Sequence, residues 1–339
     1  MELRVEHTTL RFRTPLQTSY GEISERDLFS VTLAGGGVAG RGEAAPLEAY
    51  DGVPAAAVAA ALARYAERLR DFAPDTPGQL LLDACRAAAE LPEALAAVDM
   101  ALWDRAGKRA GRPVASLLTD APLDAVPVNA TIGVRDRAGA AAAAARAAAE
   151  GYECVKLKVG AGDDAGRVAA VRAALGPAIA LRLDANGAWD VETAIRMIAT
   201  LAPAGLELVE EPVHGVAAVR DVRARVATRV SIDETAGEPG ALTSAVADAV
   251  CLKIGRCGGI GALLSQAALV RATGADVYLA STLDGPLGIA AAVHAAAALR
   301  VELACGLATL GHFDGLEQPA ALRVVRGTIR VPTDPGLGI

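Results

Sequence analysis

Tyr152-Glu-Cys-Val-Lys156-Leu-Lys158-Val159, Ala178-Ile-Ala-Leu-Arg-Leu-Asp184-Ala-Asn186, Leu206-Glu-Leu-Val-Glu210-Glu211-Pro212, Arg229-Val-Ser-Ile-Asp233-Glu234-Thr235 and Ala249-Val-Cys-Leu-Lys253-Ile-Gly255 follow one another along the chain. Each is a short apolar run, rich in Val, Ile and Leu, that ends on charged or amide side chains. Enough chain for one helix lies between successive runs. Strands alternating with helices predict a parallel sheet with crossover helices. Polar residues at the carboxyl ends of successive parallel strands are where a (β/α)8 barrel keeps its chemistry. Carboxylates flanked by lysines at such strand ends can hold a hard divalent cation beside a proton-transfer base.

The surrounding chain fits that reading. At 339 residues it accommodates a barrel and one smaller domain. Aromatic residues make up 3% and hydrophobic ones 53%, so the core is built from Ala, Val, Leu and Ile. A net charge of −7 argues against a nucleic-acid partner, which calls for a basic patch. The longest weakly polar run, Gly285 to Leu299, falls short of the roughly 20 apolar residues a bilayer span needs. The opening MELRVEHTTLRFR has no apolar core of a secretory signal. Five dispersed cysteines (Cys85, Cys154, Cys251, Cys257, Cys305) without C-x-x-C pairs point to reduced thiols and a cytoplasmic location.

Residues 1 to about 50 read as a strand meander: Glu2–Phe12, Leu28–Leu33 and, after Gly35-Gly36-Gly37, Val38–Ala44. Thr14 to Gly21 reads as a polar loop between the first two. Helices are expected at Pro54–Phe72, Gln79–Ala89 and Pro92–Ala110. Val126–Ile132 is the first expected barrel strand and Val301–Gly306 the eighth. Arg323–Val331 has strand character, with a turn at Gly327.

Asp184, Glu210 and Asp233 end three different strands at similar depth, and an all-oxygen donor set suits Mg²⁺, with Mn²⁺ as a substitute. No His or Cys stands at these positions, which argues against zinc. Carboxylates in surface loops making salt bridges are the bland alternative, and three at successive strand ends beside lysines speak against it. Lys156 and Lys158 are two apart and so share one side of a strand. Lysine inside a barrel is costly without a partner or a task. A nearby cation and a second ammonium predict a lowered lysine pKa. Gly160-Ala-Gly-Asp-Asp-Ala165 matches a dinucleotide fingerprint, with Asp184 about twenty residues on. It is weak, because the strand before it carries two lysines.

The ordered set K-x-K, D-x-N, E-x-P, D-E and K-x-G resembles the enolase superfamily, closest to its muconate-lactonising subgroup, over nearly the whole chain. The resemblance implies a (β/α)7-8 TIM-type barrel with an α+β N-terminal capping domain completed by the C-terminal tail. The expected divisions are residues 1–120, 121–315 and 316–339. It implies Mg²⁺ on Asp184, Glu210 and Asp233, with the neighbouring Glu211 and Glu234 pointing elsewhere. It makes Lys158 and Lys253 catalytic, removing a proton α to a carboxylate to leave an enediolate. Lys156, Asn186, Ser281, Thr282 and Leu283 would contact substrate. So would Ser19 and Tyr20, on a loop covering the barrel mouth. The implied partner is a small carboxylate; neither nucleic acid nor membrane is implied, and a homo-oligomer is compatible. No His–Asp dyad of the mandelate racemase type is visible, so lysine is the base on both faces.

Three segments are similar to the o-succinylbenzoate synthase family of menaquinone synthesis: Gly42-Glu-Ala-Ala-Pro-Leu47 with Tyr50-Asp51-Gly52, Ser281-Thr-Leu-Asp-Gly-Pro-Leu-Gly288, and Gly306-Leu-Ala-Thr-Leu310. Cys305-Gly-Leu-Ala-Thr309 lacks the D-x-D usual in dipeptide epimerases. Lys253-Ile-Gly-Arg256, in contrast, is closer to epimerases and cycloisomerases. The expectation is therefore syn dehydration, with epimerisation, racemisation or cycloisomerisation as alternatives. A catalytically idle barrel kept as a binding module is disfavoured by the complete set of lysines and carboxylates.

Overall fold

The computed structural model describes residues 1–18, 21–133 and 135–339. The chain begins as a long antiparallel hairpin. β1 (Glu2–Thr18) pairs with β2 (Gly21–Gly35), from Glu2 opposite Ala34 to Thr18 opposite Gly21. The expected loop from Thr14 is thus strand as far as Thr18. The register shifts between Arg11 and Leu16, around Pro15, which has no N–H for a ladder and is tolerated at such a bulge. β3 (Val38–Ala44) adds to β2 after a turn in which Gly36 and Gly37 both take positive φ.

Four helices follow: α1 (Glu48–Asp51), α2 (Ala55–Leu69), α3 (Gly78–Ala88) and α4 (Pro92–Ala110). Phe29, Val31 and Leu33 of the sheet bury against Val58, Leu62, Leu69 and Leu81. α4 serves two cores. Ala97, Val98 and Ala101 face the sheet side, and Ala96 and Met100 belong to the barrel core. The sheet sits close on this helix, since a Cβ at Gly40 or Gly42 would collide with the carbonyl oxygens of Ala101 or Ala97. Gly42→Ala is therefore expected to cost about 3 kcal/mol through overpacking, read as a lowered denaturation midpoint. An unchanged midpoint would mean that the sheet tolerates a wider spacing from α4.

After α5 (Val114–Leu118) and β4 (Ala125–Pro127), the barrel is built from β5 (Ala130–Ile132), α6 (Arg137–Ala149), β6 (Cys154–Lys158), α7 (Asp164–Leu175), β7 (Ala180–Asp184), α8 (Val191–Leu201), β8 (Leu206–Glu210), α9 (Val216–Arg225), β9 (Val230–Ile232), β10 (Ala249–Leu252), α10 (Ile254–Cys257), α11 (Ile260–Ala272), β11 (Asp276–Leu279) and α12 (Pro286–Leu299). β5 to β11 form one curled, seven-stranded parallel sheet in sequence order. The strands are short, and α6 is nearly all alanine, the best helix former.

The expected eighth strand does not form a ladder. Val301–Gly306 closes the ring through single bridges, Val128 to Cys305 and Ala280 to Gly306. Their hydrogen bonds are Cys305 N to Pro127 O at 2.8 Å and Gly306 N to Leu279 O at 2.8 Å. The carbonyl of Ala304 is taken instead by the Arg182 guanidinium, at 2.6 Å. The expected first strand is likewise split. β4 leaves the ring to pair with the tail hairpin, β12 (Val324–Val325) and β13 (Thr328–Arg330).

The tail adds no strand to the β1–β3 sheet. Its last residues dock on α4 and α5 instead. Leu337 N donates to Asp104 Oδ1 (2.8 Å) and Val114 N to Gly336 O (2.9 Å). Buried His294 of α12 accepts from Ala115 N at 3.1 Å and reaches Leu337 O at 3.2 Å. Among the described residues no helix is long and apolar enough to cross a membrane.

Candidate active site

The parallel register puts the charged strand ends in rows. Lys158 lies opposite Asp184, and Asp184 opposite Glu210. Glu210 pairs with Ser231, so Asp233 stands two residues higher on the same side. Lys156 stands two residues below Lys158, and its ammonium reaches up between two carboxylates, 3.0 Å from Asp184 Oδ2 and 3.0 Å from Glu210 Oε1. Lys158 Nζ donates to Asp184 Oδ2 and to Asn186 Oδ1, both at 2.6 Å. Lys253, directly after β10, donates to both oxygens of Asp233. The three carboxylates are buried. The Lys158 side chain is 27% exposed against 8% for Lys253, so the Lys158 face is the more open.

Burial pushes the Glu210 carboxyl up, and the negative charges of Asp184 and Asp233 push it further. For Asp184 burial acts in the same direction, but Lys156 and Lys158 outweigh it and hold the group well below the ordinary range. Asp233 is lowered too: burial raises it, but Lys253, Lys156 and the Tyr50 hydroxyl together outweigh burial. The protein's own groups shift two of the lysines upward. Burial alone would lower Lys253, yet Asp233 and Tyr50 raise it well above its ordinary value, and Asp184 and Glu210 do the same for Lys156. Each ammonium rests directly on carboxylates, and attraction at contact distance exceeds repulsion from a more distant ammonium.

The donor set fits a hard cation. Ligand atoms of Glu210, Asp233 and Cys251 lie within 4.8 Å of one another. Asp184 is joined to this group through Lys156. Burial raises the Cys251 thiol well above its ordinary value, which keeps it a neutral, weak donor. What remains is oxygen, from three buried carboxylates crowded enough that burial and the charges of Asp184 and Asp233 raise Glu210. Those are the requirements of Mg²⁺ rather than zinc.

Glu211 takes no part in the cluster. Held at a φ of 41°, it accepts from Asp233 N (2.8 Å) and from Thr235 N and Oγ1. Its carboxyl is pushed up to about 7 by burial and Glu234. Asn186, at a φ of 45°, bridges Lys158 to Glu234 Oε1. In the glycine-rich segment after β6, Gly160 N donates to Asp164 Oδ2 at 2.9 Å, so the chain's own carboxylate meets that helix start.

At the end of β11, Ser281 Oγ lies 3.0 Å from Thr309 Oγ1, linking the seventh and eighth strand ends. The Thr282 hydroxyl donates to Asp284 Oδ1 and its carbonyl accepts from Arg26. Leu283 takes a φ of 62°. Ser19 and Tyr20 lie outside the described residues. β1 reaches the barrel: Arg11 O accepts from Asp314 N (2.8 Å), and Phe12 stacks on Phe313 at 4.9 Å.

Sequence reasoning gave no role to Tyr50, Arg256 or Tyr278. The Tyr50 hydroxyl donates to Asp233 Oδ1 (2.7 Å) and accepts from Lys253 (2.6 Å) and Arg256 (3.0 Å). The Lys253 ammonium also lies 4.1 Å from the centre of the Tyr50 ring. Tyr278 donates to Glu210 Oε2 (2.9 Å) from within the barrel. In the sequence Tyr50 stands out only as part of a local segment, and Arg256 is one turn beyond Lys253, a spacing that is the available signal. A cavity of about 300 Å³ opens beside Lys253, lined by Asp51, Val53 and Glu93 from the N-terminal part and by Asp233 and Arg256 from the barrel.

Comparison with known proteins accords with this geometry. Residues 139–339 match the family profile "Enolase C-terminal domain-like", and residues 1–119 match that of the mandelate racemase / muconate lactonizing enzyme N-terminal domain. The o-succinylbenzoate synthase of Thermobifida fusca is 40% identical over 220 residues, 61% of this chain and 67% of that protein. The hydrophobic dipeptide epimerase of Roseobacter litoralis is 33% identical over 301 residues, 85% of this chain and 86% of that protein. The substrate-liganded structure of the L-Ala-D/L-Glu epimerase from Bacillus subtilis superposes with a TM-score of 0.91 at 26% identity, covering 100% of this chain and 98% of that one. The dipeptide epimerase from Enterococcus faecalis V583, complexed with Mg and L-Leu-L-Tyr, gives 0.89 at 26% identity over 99% of this chain and 98% of that one.

Proposed function

The chain belongs to the enolase superfamily, in its mandelate racemase / muconate lactonizing enzyme group, and from that premise we propose that Lys158 and Lys253 flank the α-carbon of a small carboxylate substrate. As a member it is a lyase or an epimerase or racemase that removes a proton α to a carboxylate. Asp184, Glu210 and Asp233 would hold Mg²⁺, or Mn²⁺ in its place. When bound, the cation supplies positive charge that lowers the cost of the electron pair left on the substrate. The observation that carries the proposal is the pair of ammonium groups at the second and sixth strand ends, on either side of three buried carboxylates.

The reaction favoured is syn dehydration to o-succinylbenzoate. Lys158, on the more open face, takes the α-proton and returns a proton to the departing hydroxide, so that water leaves. Lys253, held by Asp233 and Tyr50, stays charged and stabilises the anion between the two steps. Support comes from the eighth-strand end, where Thr309 offers a hydroxyl bonded to Ser281 and no carboxylate that would hold a dipeptide's ammonium. The second reading is epimerisation of a dipeptide or N-succinyl amino acid. It is favoured by Lys253-Ile-Gly-Arg256 and by the placing of Lys253 on the same carboxylate cluster as Lys158.

Lys156 would brace the metal carboxylates at the substrate's edge. Asn186, Ser281, Thr282 and Leu283 would line the mouth, and Ser19 and Tyr20 would also contact substrate. In domain terms we propose residues 1–120 as the cap, 121–315 as the catalytic barrel and 316–339 as the segment that ties the two.

The test is a panel with Mg²⁺ in deuterated solvent: the succinylated cyclohexadiene carboxylate that dehydrates to o-succinylbenzoate, N-succinyl amino acids, and dipeptides. Formation of the aromatic product, without α-exchange of dipeptides, is the expected result. Rapid exchange of dipeptides with no aromatic product would replace dehydration by epimerisation.

A further inference from the structure

Three charged side chains are buried where the N-terminal sheet meets the seventh-strand loop, and the proposed chemistry uses none of them. They are Arg26 on β2, Glu43 on β3 and Asp284 just before α12, each at most 4% exposed. Glu43 Oε1 accepts from Gly285 N at 2.6 Å, at the start of α12. Both carboxyl groups press on the same helix turn. A Cβ at Gly288 would lie 2.8 Å from Asp284 Cβ and 3.1 Å from Glu43 Oε1. Arg26 donates to the carbonyls of Thr282 (2.9 Å), Ala45 and Pro46, so it grips the same loop without bonding either carboxylate. Asp284 Oδ1 accepts from the Thr282 hydroxyl, while Oδ2 is buried with no partner among the described residues.

Two ionised carboxylates beside one guanidinium would leave a net negative charge in a dry interface, with an acceptor unsatisfied. A single proton between them removes both faults, because a protonated Glu43 is a donor suited to the orphaned oxygen. We infer that Glu43 and Asp284 share one proton, forming a carboxyl–carboxylate clasp that fastens β3 to the seventh-strand loop and so positions Ser281 to Leu283.

The surroundings agree. Burial first, then the charge of Asp284, pushes the Glu43 carboxyl up to about 7, and burial raises Asp284 as well. Arg26 opposes both shifts, and Lys253 acts on Asp284. Asp27 and Asp51 act on Arg26. α4, packed against β3, meets the neighbouring Gly42 with Ala97 and Ala101. A carboxyl whose pKa is raised by folding contributes its stability fully below its unfolded value and loses it as pH rises through the folded one. The clasp therefore holds in mild acid and loosens above about pH 7.

The clasp itself is independent of the reaction; its effect on catalysis rests on the proposed site. Carbon-13 carboxyl titration of the Mg²⁺-equilibrated protein reads the clasp without turnover. One glutamate resonance, absent in Glu43→Gln, is expected to titrate near neutral pH. Asp284→Asn, which removes the neighbouring charge, should return it toward the ordinary range. A Glu43 midpoint at roughly 4 to 5, or one unmoved by Asp284→Asn, overturns the clasp. On whichever carboxylate the enzyme turns over, KM should rise about tenfold from about pH 6 to about pH 9, the size of one pKa unit, with kcat changing less. Glu43→Gln, which keeps both an acceptor and a donor, should flatten that rise. A profile identical in the two proteins overturns the positioning role. Failure of every substrate to exchange would count against the proposed reaction and leave the carboxyl titration standing.

Discussion

Lys158→Ala is expected to abolish α-deuterium exchange, by at least about 10³-fold, for every carboxylate the enzyme turns over. The side chain is the most open of the three clustered lysines, and its ammonium is fixed by Asp184 and Asn186 at 2.6 Å each. No other described base stands on that face at the same height, because Lys156 lies lower and is enclosed by Asp184 and Glu210. Under the dehydration reading, Lys253→Ala slows turnover by a similar or smaller factor without altering which proton exchanges, since Lys253 supplies charge rather than a base. Under the epimerase reading each variant loses exchange with one enantiomer only. The experiment is exchange followed by proton NMR on separate enantiomers of an N-acyl amino acid, alongside the cyclohexadiene substrate. Enantiomer-specific losses would sink the dehydration reading.

Glu210→Gln is expected to weaken Mg²⁺ binding by about 100-fold or more, and Asp184→Asn and Asp233→Asn to do likewise, with activity falling in parallel. The three should differ in stability without metal. Glu210 is crowded by Asp184 and Asp233, and Lys156 keeps Asp184 as a partner when Glu210 is neutralised. Glu210→Gln should therefore leave the metal-free protein as stable as before, or more so. Asp233 is the carboxylate that faces Lys253, and removing its charge leaves a buried ammonium bonded to neutral oxygens, those of the new amide and of Tyr50. Breaking such a pair costs about 3–5 kcal/mol, so Asp233→Asn should unfold earlier. Titration calorimetry with Mg²⁺ and thermal unfolding in chelator separate the two effects. A variant with unchanged Mg²⁺ affinity leaves the ligand set.

Much of the barrel was legible because its signals are local. Alternation along a strand fixes which side Lys156 and Lys158 share, and the charged ends of five apolar runs mark one rim of the sheet. The register then carries Lys158, Asp184 and Glu210 into one row without help from distant parts of the chain. The helices of the N-terminal part were legible for the same reason, within a few residues at each end.

Other features depend on which surfaces meet. Tyr50 reaches Lys253 across 203 residues of sequence, and Glu43 reaches Gly285 across 242. Neither pairing leaves a local pattern, because a side chain's partner there is chosen by how the sheet seats on α4 and on the barrel rim. The hairpin runs on past Pro15 because a bulge absorbs the missing N–H, a choice made by the partner strand. The last barrel segment closes the ring by single bridges, and Arg182, on β7 directly opposite Lys156, takes the Ala304 carbonyl. The direction in which the protein's own groups shift Lys156 and Lys253 depends on contact in the same way. Sequence spacing shows that charges are near one another, whereas the sign of the shift follows from which opposite charge is in contact. The sequence by itself determined the strands, their polar ends and the kind of chemistry they can hold. Only the tertiary structure decided which of those groups touch, since contact between elements far apart in the chain is set by packing and burial rather than by local periodicity.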